Sequence, residues 1–202
     1  MTEATRHGTE PPSPWVQRWS HLVPPRGTVL DVACGRGRHA RWFNGLNHPL
    51  ALVDKAQDAI ESIALPAASC EAVVADIEAG SWPFAGRQFA AVVVTNYLWR
   101  PLLPTLLASL APGGVLIYET FTQGNETIGK PSRPDFLLRP GELLQVCQGL
   151  RVVAFEDGFE AGPQGQRPRF VQRIAAVRPP AAGPDLPLLG AGPPRYRLPG
   201  SE

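Results

Sequence analysis

The sequence predicts an α/β protein built on a mainly parallel, doubly wound sheet with helices on both faces. Three observations carry that expectation. Short β-rich apolar runs alternate with stretches of helical periodicity along most of the chain. The run 89–95, FAAVVVT, is apolar without alternation, the pattern of a strand covered on both faces. The last two apolar runs, 150–155 and 170–177, follow one another with no helical pattern between them, which predicts a hairpin at one edge.

Taken in order, residues 28–32 read as the first strand and Arg38–Gly45 as the first helix, with a glycine turn between them. Residues 50–53 form a second strand, followed by a helix over 55–64. The third strand is 72–75 and the fourth 89–95. Leu102, Leu103, Leu106, Leu107 and Leu110 recur at helical spacing and mark one face of a helix that Ala111-Pro112-Gly113-Gly114 ends. Residues 115–121 are the fifth strand, a helix lies near 141–148, and the two hairpin strands complete the sheet.

A chain of 202 residues supports one sizeable core and falls short of two full domains. The expected organisation is a disordered arm over 1–13, one folded domain over 14–178, and a Pro/Gly-rich flexible tail over 179–202. No apolar run approaches the roughly 18–20 residues of a membrane span, so no membrane partner is expected. The first residues lack the apolar stretch of a secretory signal. With 19 basic and 18 acidic residues the net charge is +1, and there is no whole-chain basic footprint for nucleic acid. Cys34, Cys70 and Cys147 are few, odd in number and widely spaced, which suggests neither disulfides nor zinc and points to a reducing cytoplasm. His7, His21, His39 and His48 show no ligand spacing, so no metal is expected.

The chemistry concentrates in Val29-Leu30-Asp31-Val32-Ala33-Cys34-Gly35-Arg36-Gly37-Arg38-His39. Here a strand bearing an acid runs into a small-residue turn that opens a helix. A ligand ammonium or ribosyl group above the turn would find an acceptor in Asp31, and its carboxylate would meet the free N–H groups of the helix start. Gly35, Gly37 and Ala40 also fit the dinucleotide fingerprint G-x-G-x-x-A, so the turn alone does not separate ligand classes. Asp54 closes the second strand, where a carboxylate either accepts ribose hydroxyls or caps the next helix. Asp76-Ile77 follows the third strand and offers an acceptor and an apolar face to an adenine, or forms a surface turn. Thr95-Asn96-Tyr97 ends the fourth strand, beside the first at the switch of the sheet, and faces the reacting end or serves as turn and packing. Asp31 stands where dinucleotide folds carry apolar residues, and no Tyr-x-x-x-Lys pair exists, which disfavours a nicotinamide dehydrogenase.

On these residues the sequence resembles the class I S-adenosylmethionine-dependent methyltransferases. VLDVACGRGRHA is similar to their motif I, ALVDKA to the acidic motif II, ADI to the adenine-contacting motif, and APGGVLIYET to the helix end and fifth strand. The resemblance spans residues 13–177 and departs at Ala33, where motif I commonly has glycine. It implies a seven-stranded sheet of order 3-2-1-4-5-7-6 with strand 7 antiparallel, S-adenosyl-L-methionine as cofactor, and methyl transfer as the activity. It places Asp31, Gly35 and Gly37 around the methionine moiety, Asp54 on the ribose, and Asp76 with Ile77 on the adenine. Ala33, Cys34, Arg38, Lys55, Thr95 and Asn96 complete the expected cofactor site. Among subfamilies the compact chain is most similar to tellurite-resistance-type methyltransferases, a likeness that names no substrate.

The stretch 119–136 is long for a strand-to-helix connection, where about two to six residues are usual, and such loops commonly carry function. Within it Asn125, Glu126, Lys130 and Arg133 offer polar contacts to an acceptor, unless the loop is simply solvated. Trp15 and Trp19 share a helix face and either cover the sulfonium or join the core. Trp99 and Arg100 line an acceptor pocket or begin a helix. The expected substrate-binding set is therefore Trp15, Tyr97, Trp99, Arg100, Asn125 and Arg133. A thiol or chalcogen anion attacks a sulfonium without a base, whereas an amine or hydroxyl would use Tyr97 or Glu119. The function expected is methylation of a small molecule in the cytoplasm. The alternatives are methylation of RNA or a translation component through Arg36, Arg38, Arg41, Arg100 and Arg133, or a non-enzymatic cofactor-binding partner protein.

Overall fold

The computed structural model describes residues 10–162, 167–180 and 195–200. Its strands are β1 (Val29–Val32), β2 (Leu50–Asp54), β3 (Cys70–Val74), β4 (Phe89–Thr95), β5 (Leu110–Phe121), β6 (Arg151–Glu160) and β7 (Arg169–Val177). They form one seven-stranded sheet in the order β3-β2-β1-β4-β5-β7-β6. The first five strands pair in parallel, and β7 runs antiparallel to both β5 and β6. This is the doubly wound sheet with an edge hairpin that the sequence predicts. The helices are α1 (Pro14–Trp19), α2 (Arg38–Gly45), α3 (Gln57–Glu61), α4 (Leu103–Ala108) and α5 (Glu142–Val146).

Side chains alternate across the strands, so the sheet carries an apolar layer on each face. Leu30, Val32, Val92, Val94 and Leu116 pack with Leu103 and Leu106 of α4 and Leu143 of α5. On the opposite face Val29, Leu52, Val93 and Ile117 pack with Trp15 and Trp19 of α1 and with Phe43 of α2. Strand order reverses between β1 and β4, and the crevice of such a sheet opens at the C-terminal strand ends there. Among the described residues no helix is long and apolar enough to cross a membrane.

Three elements differ from the sequence expectation. The helix predicted over 55–64 is only Gln57–Glu61. Pro66 disfavours helical geometry at Leu65 just beyond it. Leu110 does not close a helix. It opens β5 by pairing with Phe89, and the irregularity between Phe89 and Ala91 absorbs the Ala-Pro-Gly-Gly run. Gly114 makes that run possible, since a Cβ there would lie 2.8 Å from the carbonyl oxygens of both Ala111 and Phe89. Finally, β6 continues to Glu160, because Glu156 and Glu160 pair with Arg173 and Arg169 across the hairpin.

Ordered contacts begin before Pro14. Ser13, placed in the arm by sequence, is buried; it caps α1 by accepting the Trp15 N–H at 3.1 Å and donates its hydroxyl to Glu119 at 2.9 Å. The rest of the predicted arm over 1–9 lies outside the described residues, as do 181–194 and 201–202 of the predicted tail. The described tail residues are in contact with the domain: Tyr196 packs on the α1-side apolar cluster, and the Arg197 carbonyl lies 3.0 Å from His21 Nε2. Tyr196→Ala is therefore expected to lower the melting temperature by about 2–4 °C, the shift for roughly 1 kcal/mol in a chain of this size. An unchanged melting curve would show that the contact contributes no stability.

Candidate functional site

The turn after β1 is stitched to the end of β2. Cys34 N–H donates to the Val53 carbonyl at 3.1 Å, and Gly35 N–H donates to Asp54 Oδ2 at 2.8 Å. Ala33, Gly35 and Gly37 take φ of 52°, 53° and 73°. The left-handed conformation costs a residue with a Cβ roughly 1–2 kcal/mol, so Ala33 carries strain where motif I commonly has glycine. Gly37 could not carry a side chain freely even at a permitted φ, since its Cβ would lie 3.0 Å from Ile63 Cδ1. Asp54 also accepts the Ala56 N–H at 2.9 Å, so it holds the turn and starts α3 at once.

Two adjoining cavities open at the strand ends. The first, of about 140 Å³, brings together Ala33, Asp54, Lys55, Asp76 and Ile77, five of the residues predicted to hold cofactor, with Ala75 beside them. The second, of about 250 Å³, is lined by Asn96, Leu98, Thr120, Phe121, Pro131 and Phe136. Tyr97 and Glu78 line both and form the partition between them. Asn96, with φ of 54°, lines the second cavity. Tyr118 donates its hydroxyl to the Tyr97 carbonyl at 2.7 Å and fixes the backbone there.

Asp31 lies under the turn, 1% exposed, and its Oδ2 has no hydrogen-bond partner among the described residues. Burial pushes its carboxyl up to about 7, against the opposing pull of the Arg38 guanidinium. Arg38 also reaches Thr95 Oγ1 at 3.4 Å and Glu10 at 3.5 Å. Cys34 contributes the turn and no ligand group: its side chain is buried in the apolar layer, and its N–H and carbonyl are both used internally. His39 is buried, accepts the Ser13 N–H at 3.2 Å, and is pushed by burial down to about 3, so it stays neutral.

Most of the predicted acceptor residues are placed elsewhere. Trp15 is core, 2% exposed, with its indole N–H donated to the Ile174 carbonyl at 3.3 Å. Trp99 packs against the α4-side core. Arg100 forks onto Glu142 at 2.7 and 2.9 Å and also bonds the Asp135 and Leu137 carbonyls, so it braces the loop. Asn125 is buried and staples its loop, donating to the Pro131 carbonyl and accepting the Phe170 N–H. Arg133 is exposed, paired with Asp135 at 2.9 Å and stacked over Phe136. Glu119 is 1% exposed and held by Ser13, Arg169 and Arg173, which leaves it no role as a mobile base. Of that set only Tyr97 lines a cavity at the strand ends. Glu78 was not anticipated; its one sequence signal is its position two residues after Asp76, where an Asx turn presents it.

Residues 29–114 match the model of a methyltransferase domain. The stretch matched is 86 of the 202 residues and carries the glycine turn together with β1 to β4. Its fold is similar to TehB from Haemophilus influenzae, at 15% identity and TM-score 0.66, over 81% of this chain and 61% of TehB. It is likewise similar to a methyltransferase from Methanosarcina mazei, at 14% identity and TM-score 0.63, over 85% of this chain and all of that one. The glycopeptide N-methyltransferase MtfA in complex with S-adenosylmethionine gives 20% identity and TM-score 0.57, over 81% of this chain and 92% of its own. At these identities the likeness is one of fold. No curated protein matches the chain.

The sequence resemblance implies S-adenosyl-L-methionine as cofactor, and the residues at the strand ends fit it. The unpartnered, buried Asp31 oxygen suits the ammonium of the methionine moiety. A carboxylate whose folded pKa is raised from 3.8 to about 7 contributes stability below about pH 4 that is lost as pH rises toward 7. An ammonium binds the ionised form, so S-adenosylhomocysteine binding at pH 7 is expected to release a proton. Calorimetry in two buffers of different ionisation enthalpy reads this directly. Asp31→Asn should abolish the buffer dependence, and equal heats with the parent chain would contradict the role given to Asp31.

Proposed function

We propose that this chain is an S-adenosylmethionine-dependent methyltransferase of class I and transfers the methyl group to a small-molecule acceptor in the cytoplasm. The observation that carries this reading is the cavity of about 250 Å³ that adjoins the cofactor cleft across Tyr97 and Glu78. Its size suits a small molecule. The charges of the candidate nucleic-acid face support the same reading. Arg36 pairs with Asp58 at 2.6 Å, Arg38 with Glu10, Arg100 with Glu142 and Arg133 with Asp135. A phosphate backbone would have to displace these carboxylates. The free Cys34, Cys70 and Cys147 accord with a reducing compartment.

S-adenosylmethionine, when bound, supplies a methyl group on an already activated sulfonium leaving group. The work left to the chain is placement and dehydration. Asp31 and Asp54 would hold the methionine and ribose ends, and Asp76 with Ile77 the adenine end. Tyr97 would set the line of approach from the larger cavity, to which Leu98, Phe121 and Phe136 give apolar walls. The test is incubation with methyl-labelled S-adenosylmethionine and cell extract separated into RNA, protein and low-mass fractions. Label in the low-mass fraction is the expected result, and label confined to RNA or protein would overturn the proposal.

A further inference from the structure

Among the described residues Glu78 is the one carboxylate that lines both cavities at the strand ends. Its backbone is fixed by Asp76, whose Oδ1 accepts the N–H groups of Glu78 at 2.9 Å and Ala79 at 3.2 Å. Facing it is Tyr97, whose hydroxyl is buried with no partner among the described residues. Burial, together with the Glu78, Asp76 and Asp54 carboxylates, raises the Tyr97 hydroxyl well above its ordinary range. The Tyr97 hydroxyl is thus a hydrogen-bond donor that faces the Glu78 carboxylate.

The larger cavity has a distinct charge character. Leu98, Phe121, Pro131 and Phe136 give it an apolar body, and among the described residues no lysine, arginine or histidine lines it. Arg133, over the Phe136 ring, is already paired with Asp135. The Glu78 carboxylate at the cavity wall repels an anionic acceptor such as a thiolate, carboxylate or phosphate, whereas the balancing charges, Lys55 and the donor sulfonium, belong to the adjoining cavity. An amine meets a carboxylate for its N–H and aromatic faces that favour its charge. The volume of about 250 Å³ and the apolar lining suit an acceptor with a compact apolar body.

We propose that the acceptor is a small amine with a compact apolar body, and that Glu78 takes the proton from its nitrogen. The proposal rests on the methyltransferase reading above. One ammonium proton passes to the Glu78 carboxylate. The freed nitrogen lone pair forms the N–CH₃ bond as the CH₃–S bond breaks, and that bond's electron pair returns to sulfur. The products are the methylated ammonium and S-adenosylhomocysteine, and exposed Glu78 releases its proton to water.

The test uses three ring-sized probes of like shape: phenethylamine, phenethyl alcohol and 3-phenylpropionate. Binding of each to the full chain saturated with S-adenosylhomocysteine is measured by calorimetry, and methyl transfer is measured with labelled S-adenosylmethionine. The amine is expected to bind at least about tenfold tighter than either other probe, in keeping with a charge-assisted hydrogen bond, and to be the probe that takes label. E78Q, checked for folding by its melting temperature, should lose about tenfold in amine affinity and about 100-fold in amine methylation. Tighter binding of the alcohol or the carboxylate, no binding of any probe, or full amine methylation by E78Q would overturn the proposal. Failure of the parent chain to bind S-adenosylhomocysteine at all would instead overturn the methyltransferase reading beneath it.

Discussion

Asp54→Ala is expected to raise the dissociation constant for S-adenosylhomocysteine by roughly 100-fold and to lower the melting temperature as well. The two losses have one cause. Asp54 accepts the Gly35 N–H at 2.8 Å and the Ala56 N–H at 2.9 Å, so a single carboxylate ties the glycine turn to the end of β2 and starts α3. Hydrogen bonds to a charged acceptor contribute about 1.5–3 kcal/mol each, and the half-buried position of Asp54 favours the lower end. With the side chain gone, Gly35 loses its anchor and the ribose its acceptor. Asp54→Asn should fall between, since an amide oxygen can keep one N–H partner while its nitrogen repels the other. Calorimetry and thermal unfolding of the three chains together decide the matter. A lowered melting temperature with unchanged affinity would reduce Asp54 to a cap.

Glu119 is expected to behave in the opposite way, with a large effect on stability. It is 1% exposed and accepts from Ser13 at 2.9 Å, Arg173 at 3.1 Å and Arg169 at 3.5 Å. Glu119→Ala removes the carboxylate shared by Arg169 and Arg173, which keep Glu160 and Glu156, and frees the start of α1. Losing hydrogen bonds to a charged group costs about 1.5–3 kcal/mol. For a chain of this size that lowers the melting temperature by roughly 5 °C. Methyl transfer measured well below the transition should survive. Unchanged thermal stability with abolished turnover would restore Glu119 to the reaction.

These two acids show what the sequence makes legible. The strand-end acids could be placed from sequence because parallel strands end at one rim of the sheet, so Asp54 and Asp76 converge whatever the loops do. The run FAAVVVT announced β4 as a strand covered on both faces because period and composition are local. Glu119 also ends near that rim, yet its chemistry is set by Arg173, brought opposite by the antiparallel β5–β7 register. Nothing within a few residues of Glu119 signals that pairing. Trp15 shows the same gap: its spacing from Trp19 gives a shared face but not the surface that face covers, which is the sheet. Arg100 and Asn125 carry polar side chains on a long loop, the usual mark of a binding site, but both are spent bracing the loop itself. Glu78 escaped notice because an exposed glutamate has no distinguishing pattern. Its importance comes from Tyr97, which the sheet brings beside it from another strand.

The central claim is that the acids on β1, at the end of β2 and after β3 hold S-adenosylmethionine. Calorimetric titration of the full chain with S-adenosylhomocysteine and, separately, with NAD tests it most directly. The account predicts saturable one-to-one binding of S-adenosylhomocysteine and no heat from NAD. Saturable NAD binding with no response to S-adenosylhomocysteine would contradict it.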